Sequence, residues 1–196
     1  MKTTRTRCLG LLLATWIVSP GCGNDSTAPE PKTWPPPDPV SIDAPPGMPV
    51  VPIPTDNPTT RQGIDLGRRL FYDTRLSGDG KMSCATCHRQ QFAFSDGGQR
   101  FSVGIDGIAG TRNTPHLTNV AYAPQLFWNG RAASLEDQAR EPVVNPIEMH
   151  TTWPDVVARL RQDPDYPDLF GGAFGSDEIS EDRIVQAIAQ FQRTFV

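Results

Sequence analysis

Cysteine is scarce in this chain, with four in 196 residues: Cys8, Cys22, Cys84 and Cys87. Each has a local reading, so none is left over to form a structural disulfide. No second pair follows Cys87, which removes the four-ligand set that a zinc knuckle requires. A basic excess is also lacking: 18 Lys and Arg against 22 Asp and Glu give a net charge of −4 and a pI of about 5.3. That balance argues against a nucleic-acid partner. Long apolar runs are absent too. The most apolar stretch, Cys8 to Val18, is eleven residues, too short to span a bilayer. No pair of alternating apolar segments reads as paired strands, and no internal repeat is visible. The expectation is an all-α chain, one domain with appendages.

What the chain does contain is Cys84-Ala85-Thr86-Cys87-His88. C-x-x-C-H is the attachment pattern of a c-type haem. Two cysteines three apart on one helical turn can each form a thioether to a vinyl group of the same porphyrin. The residue that follows, His88, then lies under the ring and can ligate the iron. A thioredoxin-like pair would want a strand before it and a helix after it, and would need no following His.

Around this centre the chain falls into three parts. Residues 1–22 read as an export signal, with Lys2, Arg5 and Arg7 ahead of the apolar run. Ser19-Pro20-Gly21-Cys22 is similar to a lipoprotein cleavage site with Cys22 as the lipidated residue; the alternative is ordinary cleavage near Gly23. Both place the protein outside the cytoplasm, in the periplasm, where c-type haem is attached. Residues 23–58 hold 12 of the 20 prolines and are expected to be a tether of polyproline character. The domain is expected over residues 59–196. Thr59 or Thr60 caps a helix to about Tyr72, a short haem helix spans Ser83 to Arg89, and a Gly-rich loop runs from Asp96 to Asn113. Three more helices are predicted: Ser134–Glu141, Thr152 to about Gln162, and Ser180 to Val196. The loop glycines Gly104, Gly107 and Gly110 have no strand-to-helix context, so they are no dinucleotide fingerprint; a loop over the haem edge is the better reading.

Beyond the haem motif, an ordered series resembles the N-terminal half of the bacterial di-haem cytochrome c peroxidases, a family that includes the MauG proteins. The series is Leu66 to Gly80, Ser83 to His88, Arg112-Asn113-Thr114-Pro115, Phe127 to Arg131, Ser134 to Ala139, and Asn145 to Met149. It extends over about residues 53–196. The resemblance implies an oxidoreductase that reduces hydrogen peroxide, or uses it to oxidise another substrate. A second haem domain would pass electrons inward from a small donor protein, a cytochrome or cupredoxin. It implies Cys84 and Cys87 as haem anchors and His88 as the proximal ligand of one covalent haem c. Trp128 matches a tryptophan between the haems, with a plain core aromatic as the alternative. Gln138 and Glu148 match the distal pair, Glu148 serving as the acid–base group that O–O cleavage needs. On spacing alone Glu148 would read as a solvated carboxylate. Asn113 matches a residue of a calcium site between the two domains.

Two departures shape the expectation. Many members carry an iron-ligating His in the loop after the haem motif; here Ile105 stands at that position and cannot ligate. An open distal site is therefore expected, with His116, Met149 or His150 as groups able to swing in. The chain also carries one C-x-x-C-H, so the second haem, the inter-haem route and the calcium site are expected to be incomplete within it. Competing expectations are a monohaem electron carrier, with Met149 as sixth ligand, and a haem-binding fragment without independent activity.

Overall fold

The computed structural model describes Glu30 and residues 32–196. The expected export signal and the candidate lipid anchor at Cys22 lie outside the described residues. Among the described residues six helices carry the fold: α1 (Arg61–Phe71), α2 (Cys84–Cys87), α3 (Leu135–Val144), α4 (Trp153–Arg161), α5 (Tyr166–Phe174) and α6 (Glu181–Gln192). Four single 3-10 turns punctuate the loops. Among the described residues there is no β-strand, only four isolated bridges, as expected for an all-α chain.

The helices start where short polar side chains satisfy their first N–H groups. Thr60, Ser134, Thr152 and Ser180 each accept a hydrogen bond from the backbone N–H three residues on, which supplies partners to otherwise orphaned donors. Helix α3 outruns its expected end at Glu141 and continues through Pro142 to Val144. Helix α6 ends at Gln192, four residues before the expected end. Helix α5 was not expected at all: Gly171 and Gly172 in its middle weaken the helical signal. The structure gives Gly171 a reason, because a Cβ there would run into the ring of Trp34.

Helix α6 is the central element. It packs against α1 and α3, and α5 packs on α1 and touches α6. The approach of α1 to α6 rests on two glycines. A Cβ at Gly67 would strike the Ala187 carbonyl, and one at Gly63 would strike the Gln190 amide. Ile184, Val185, Ala187 and Ile188 of α6 are buried in one cluster with Leu66, Leu70 and Phe71 of α1. Phe71 is the hub of an aromatic cluster, with ring centroids 5.5 Å from Phe191, 5.9 Å from Phe195 and 6.1 Å from Phe94.

The Pro-rich segment departs from a free tether. From Thr33 onward the chain belongs to one unit with the helices. Val40 N–H donates to the Thr59 carbonyl at 2.9 Å, and Asp38 is joined to Gln62 by two hydrogen bonds. Tyr122 Oη donates to the Pro49 carbonyl at 2.8 Å. Proline has no backbone N–H to donate to a helix or a ladder, but an extended chain still offers carbonyls and side chains. At its end, Asn57 is nearly fully buried. Its amide donates to Glu136 Oε1 at 2.6 Å and to the Gln186 carbonyl at 3.0 Å, and it accepts from Gln190 Nε2 at 2.8 Å. Gln190 Oε1 in turn accepts from Thr60 N–H at 2.9 Å, and Arg193 binds Glu136 at 2.6 Å. This buried network ties the segment to α1, α3 and α6 together.

Candidate haem site

The haem-motif residues form one turn of helix. Ser83 caps it and Thr86 Oγ1 accepts from Ser83 N–H at 2.9 Å, a reciprocal capping box. Cys84 and Cys87 are unpaired thiols. Burial pushes the Cys84 thiol up to about 12 and raises that of Cys87 as well, the latter helped by the charges of Glu148 and Asp96. Both sulfurs are thus held as protonated thiols in a low-dielectric setting.

His88 follows on a fixed tautomer. Its Nδ1 lies 2.8 Å from the Phe94 carbonyl, so Nδ1 carries the proton and donates, leaving Nε2 free as a ligand. Two consecutive residues with positive φ, Ala93 at 56° and Phe94 at 57°, turn that carbonyl back onto the ring. The Phe94 ring stacks on Phe195 at 3.9 Å, and Phe71 lies 6.4 Å from the His88 ring. The aromatic core is therefore the platform beneath the His88 ring. Burial lowers the pKa of His88, against the pull of the Phe94 carbonyl, which favours the neutral, ligating form.

Above this platform opens a cavity of about 850 Å³. Cys84, Cys87 and His88 line one side. Ser102, Gly104, Gly110 and Asn113, from the Gly-rich loop, line another. Gly104 allows that loop to close, since a Cβ there would strike the Ile147 carbonyl. The remaining wall carries Gln138, Glu148, Met149, His116, Trp128 and Arg131.

Most of the expected site residues therefore meet in one space. Gln138 reaches it from α3 and is half-buried. Glu148 sits in the turn after α3, where Asn145 Nδ2 donates to its Oε1 at 2.7 Å. Burial raises the pKa of Glu148 and the charge of Glu141 adds to this; the Arg131 charge and the Asn145 hydrogen bond oppose it without cancelling it. Glu148 is thus no freely solvated carboxylate. Trp128 is 58 % exposed, so a plain core aromatic is set aside. Its Nε1 donates to the Asn113 carbonyl at 2.9 Å.

Other positions separate. Ile105 is buried, but it is not among the cavity-lining residues; its Cδ1 lies beside Gly78, and its N–H donates to the Glu148 carbonyl at 2.8 Å. Ile105 thus holds the loop against the Glu148 turn. Of the three groups considered able to swing in, Met149 and His116 line the cavity. His150, exposed and at a positive φ of 46°, does not. Asn113 is exposed, and among the described residues no cluster of three or more His, Cys, Asp or Glu could hold a metal ion. It remains a single candidate ligand for calcium.

Sequence reasoning missed two supporting residues. Asn145 orders the Glu148 turn, also accepting from Ile147 N–H at 3.1 Å; an Asn before Pro146 is a turn signal that could have flagged it. Arg131 lies over the Phe127 ring at 3.4 Å and binds Glu141 at 2.7 Å, a pairing across ten residues that no local pattern reveals.

The residues present fit a covalently held haem. The thiols and imidazole together line a partly open, largely apolar space. Gln192 Oε1 and Asn119 Oδ1, of two residues that line the cavity, are buried without a hydrogen-bond partner. Such atoms ordinarily need one, and a group with polar edges would supply it.

Comparison with known proteins agrees with this geometry. The family model for di-haem cytochrome c peroxidase matches residues 61–196. The methylamine utilization protein MauG of Methylorubrum extorquens is 46% identical over 147 residues, covering 74% of this chain and 41% of the relative. Cytochrome c peroxidase Ccp of Escherichia coli is 40% identical over 149 residues, covering 76% of this chain and 32% of the relative. A solved MauG-like protein associated with microbial copper homeostasis superposes with a TM-score of 0.72 at 41% identity, covering 78% of this chain and 45% of the other. The chain belongs to the di-haem cytochrome c peroxidase/MauG family, a family of haem oxidoreductases. It spans less than half the length of these relatives.

Proposed function

We propose that this chain forms the peroxide-reacting haem domain of a periplasmic peroxidase. Cys84 and Cys87 would anchor one haem c and His88 would ligate its iron. When bound, the haem supplies a redox centre at which hydrogen peroxide can take up two electrons; with two protons the products are two waters. The electrons would come from a second haem domain fed by a small cytochrome or cupredoxin, and Trp128, exposed and lining the cavity, would assist that transfer. A cation such as calcium at Asn113 would need ligands from that second domain. A lipid anchor at Cys22 would hold the protein at the membrane.

The carrying observation is that Glu148, with its pKa raised by burial, shares a cavity with His88. An ionised Glu148 would accept a proton from peroxide in the cavity and return it to the departing oxygen. Gln138, from the adjoining wall, offers an amide to orient the peroxide. Ile105 has no ligating atom and does not line the cavity, so it would not compete with solvent or substrate for the iron. The Glu148→Gln variant keeps the shape of the carboxylate and cannot take the proton. Peroxide consumption by the haem-loaded protein should then fall by 10²-fold or more, with cyanide affinity nearly unchanged. Unchanged turnover would remove the assigned role.

One observation favours a second reading, a monohaem electron carrier. Met149 is 4% exposed and lines the cavity, so its thioether is available as a sixth ligand. The ferric EPR spectrum near pH 7 separates the two. A high-spin signal supports the peroxidase, and a low-spin signal abolished by Met149→Leu supports the carrier. Silence in both turnover and donor oxidation would leave a haem-binding fragment.

A further inference from the structure

Asp96 is not used by the proposed reaction, yet it is 5% exposed and sits eight residues past His88. The segment between them is a tight loop. Arg89 N–H donates to the Ser95 carbonyl and Phe94 N–H to the Arg89 carbonyl, each at 3.0 Å. Its Phe94 carbonyl holds the His88 ring. At the end of that loop, Asp96 Oδ2 accepts from Thr114 N–H at 2.9 Å and from Ser102 Oγ at 3.1 Å. Its Oδ1 is buried without a well-aligned hydrogen bond, and the Gly98 and Gln99 amides act on the carboxylate only weakly.

The donors to this carboxylate are neutral, so hydrogen bonding leaves its charge in place. Burial works to raise its pKa, but the amides of Thr114, Gly98 and Gln99 and the Ser102 hydroxyl win, and the group stays ionised. The nearby cation does not cancel it. Arg89 directs a guanidinium N–H to the main-chain carbonyl of Asp96, lies over the Phe92 ring at 4.7 Å, and keeps its Nε without a partner. The Asp96 charge acts on His88, and at Cys87 it outweighs that of Arg89. Thr114 completes the link: it binds Asp96 through its N–H and Ser102 through its hydroxyl at 2.5 Å, and it lines the haem cavity.

We propose that Asp96 is a positioning and poising residue, a fixed buried negative charge that stabilises the ferric haem and lowers its reduction potential. The inference rests on the haem reading above. A ferric centre carries one more positive charge than a ferrous one, so a nearby anion favours it. A unit charge acting through the protein interior is expected to change the ferric-to-ferrous ratio at fixed potential roughly tenfold, about 59 mV for a one-electron couple.

The test is potentiometric titration of haem-loaded wild type, Asp96→Asn and Arg89→Gln, each first checked for covalent haem by its pyridine haemochrome spectrum. Asp96→Asn keeps the shape and one acceptor oxygen, and should shift the midpoint upward. Arg89→Gln removes the opposing cation and should shift it downward. A merely structural role would loosen the same loop in both variants and move both midpoints the same way. That result, or no shift in Asp96→Asn, overturns the proposal. If Asp96→Asn yields no folded holoprotein, the uncharged Asp96→Ser is titrated in its place, with the same upward shift expected and its absence overturning the proposal. Failure of the wild type to carry covalent haem would instead overturn the haem reading, before any midpoint is compared.

Discussion

Replacing Phe71 by Ala tests whether the aromatic core is the support of the haem ligand. Phe71 is fully buried and makes edge-on contacts with Phe191, Phe195 and Phe94. Truncating a buried phenylalanine to alanine costs about 3–5 kcal/mol, from lost burial and the cavity left behind. Each lost ring pair is worth about 0.5–1.5 kcal/mol beyond area, which places this site at the upper end. A domain of ordinary stability, about 5–15 kcal/mol, would lose a third or more of it. Phe71→Leu keeps most of the volume and should lose about 1–1.5 kcal/mol. Urea unfolding of the apoprotein, followed by circular dichroism, gives both values. A loss under about 1 kcal/mol for Phe71→Ala, at unchanged m-value, would refute the hub argument. The functional consequence is separate. With Phe71 gone, the Phe94 ring keeps only its stacking on Phe195, and its carbonyl can leave His88 Nδ1. The ferric absorption spectrum of the haem-loaded Phe71→Ala protein should then broaden, while that of Phe71→Leu stays like wild type.

Gly67→Ala gains a little helix propensity but drives a Cβ into the Ala187 carbonyl; a net loss of about 1–3 kcal/mol in thermal or urea unfolding is expected, and a gain would mean the two helices can part freely. Asn57→Ala strips Gln190 and Glu136 of buried partners and should cost about 2–3 kcal/mol, measured the same way. Burial depresses the folded-state pKa of His88, so below about pH 6.5 the unfolded chain binds a proton that the folded chain refuses. Apoprotein stability should therefore decline as pH falls through that value, and His88→Gln, which has no such group, should show a flatter profile. The raised pKa of Glu148 predicts that peroxide turnover falls on acidification above the ordinary carboxylate range, and that Glu148→Gln loses this limb.

Much of the site was legible because its chemistry is local. Cys84, Cys87 and His88 occupy one turn, so their spacing alone specifies a shared porphyrin. Four helix starts were equally readable, since a cap is a contact between a residue and the backbone three positions on. Helix α5 escaped because its Gly171 answers to Trp34, 137 residues away in sequence. The Pro-rich segment escaped as a packed element for a related reason: its composition says it cannot be a helix, and only long-range partners such as Gln190 and Tyr122 say where it lies.

The sequence by itself determined the cofactor chemistry, the helical class and the family, all properties carried by short patterns in fixed order. Only the tertiary structure decided the electrical character of the site. It buried Glu148 until its pKa rose, left Asp96 charged among neutral donors, and turned Ile105 away from the cavity toward Gly78. Those outcomes depend on how much water each group loses and which dipoles face it, and both are set by chain segments far apart in sequence.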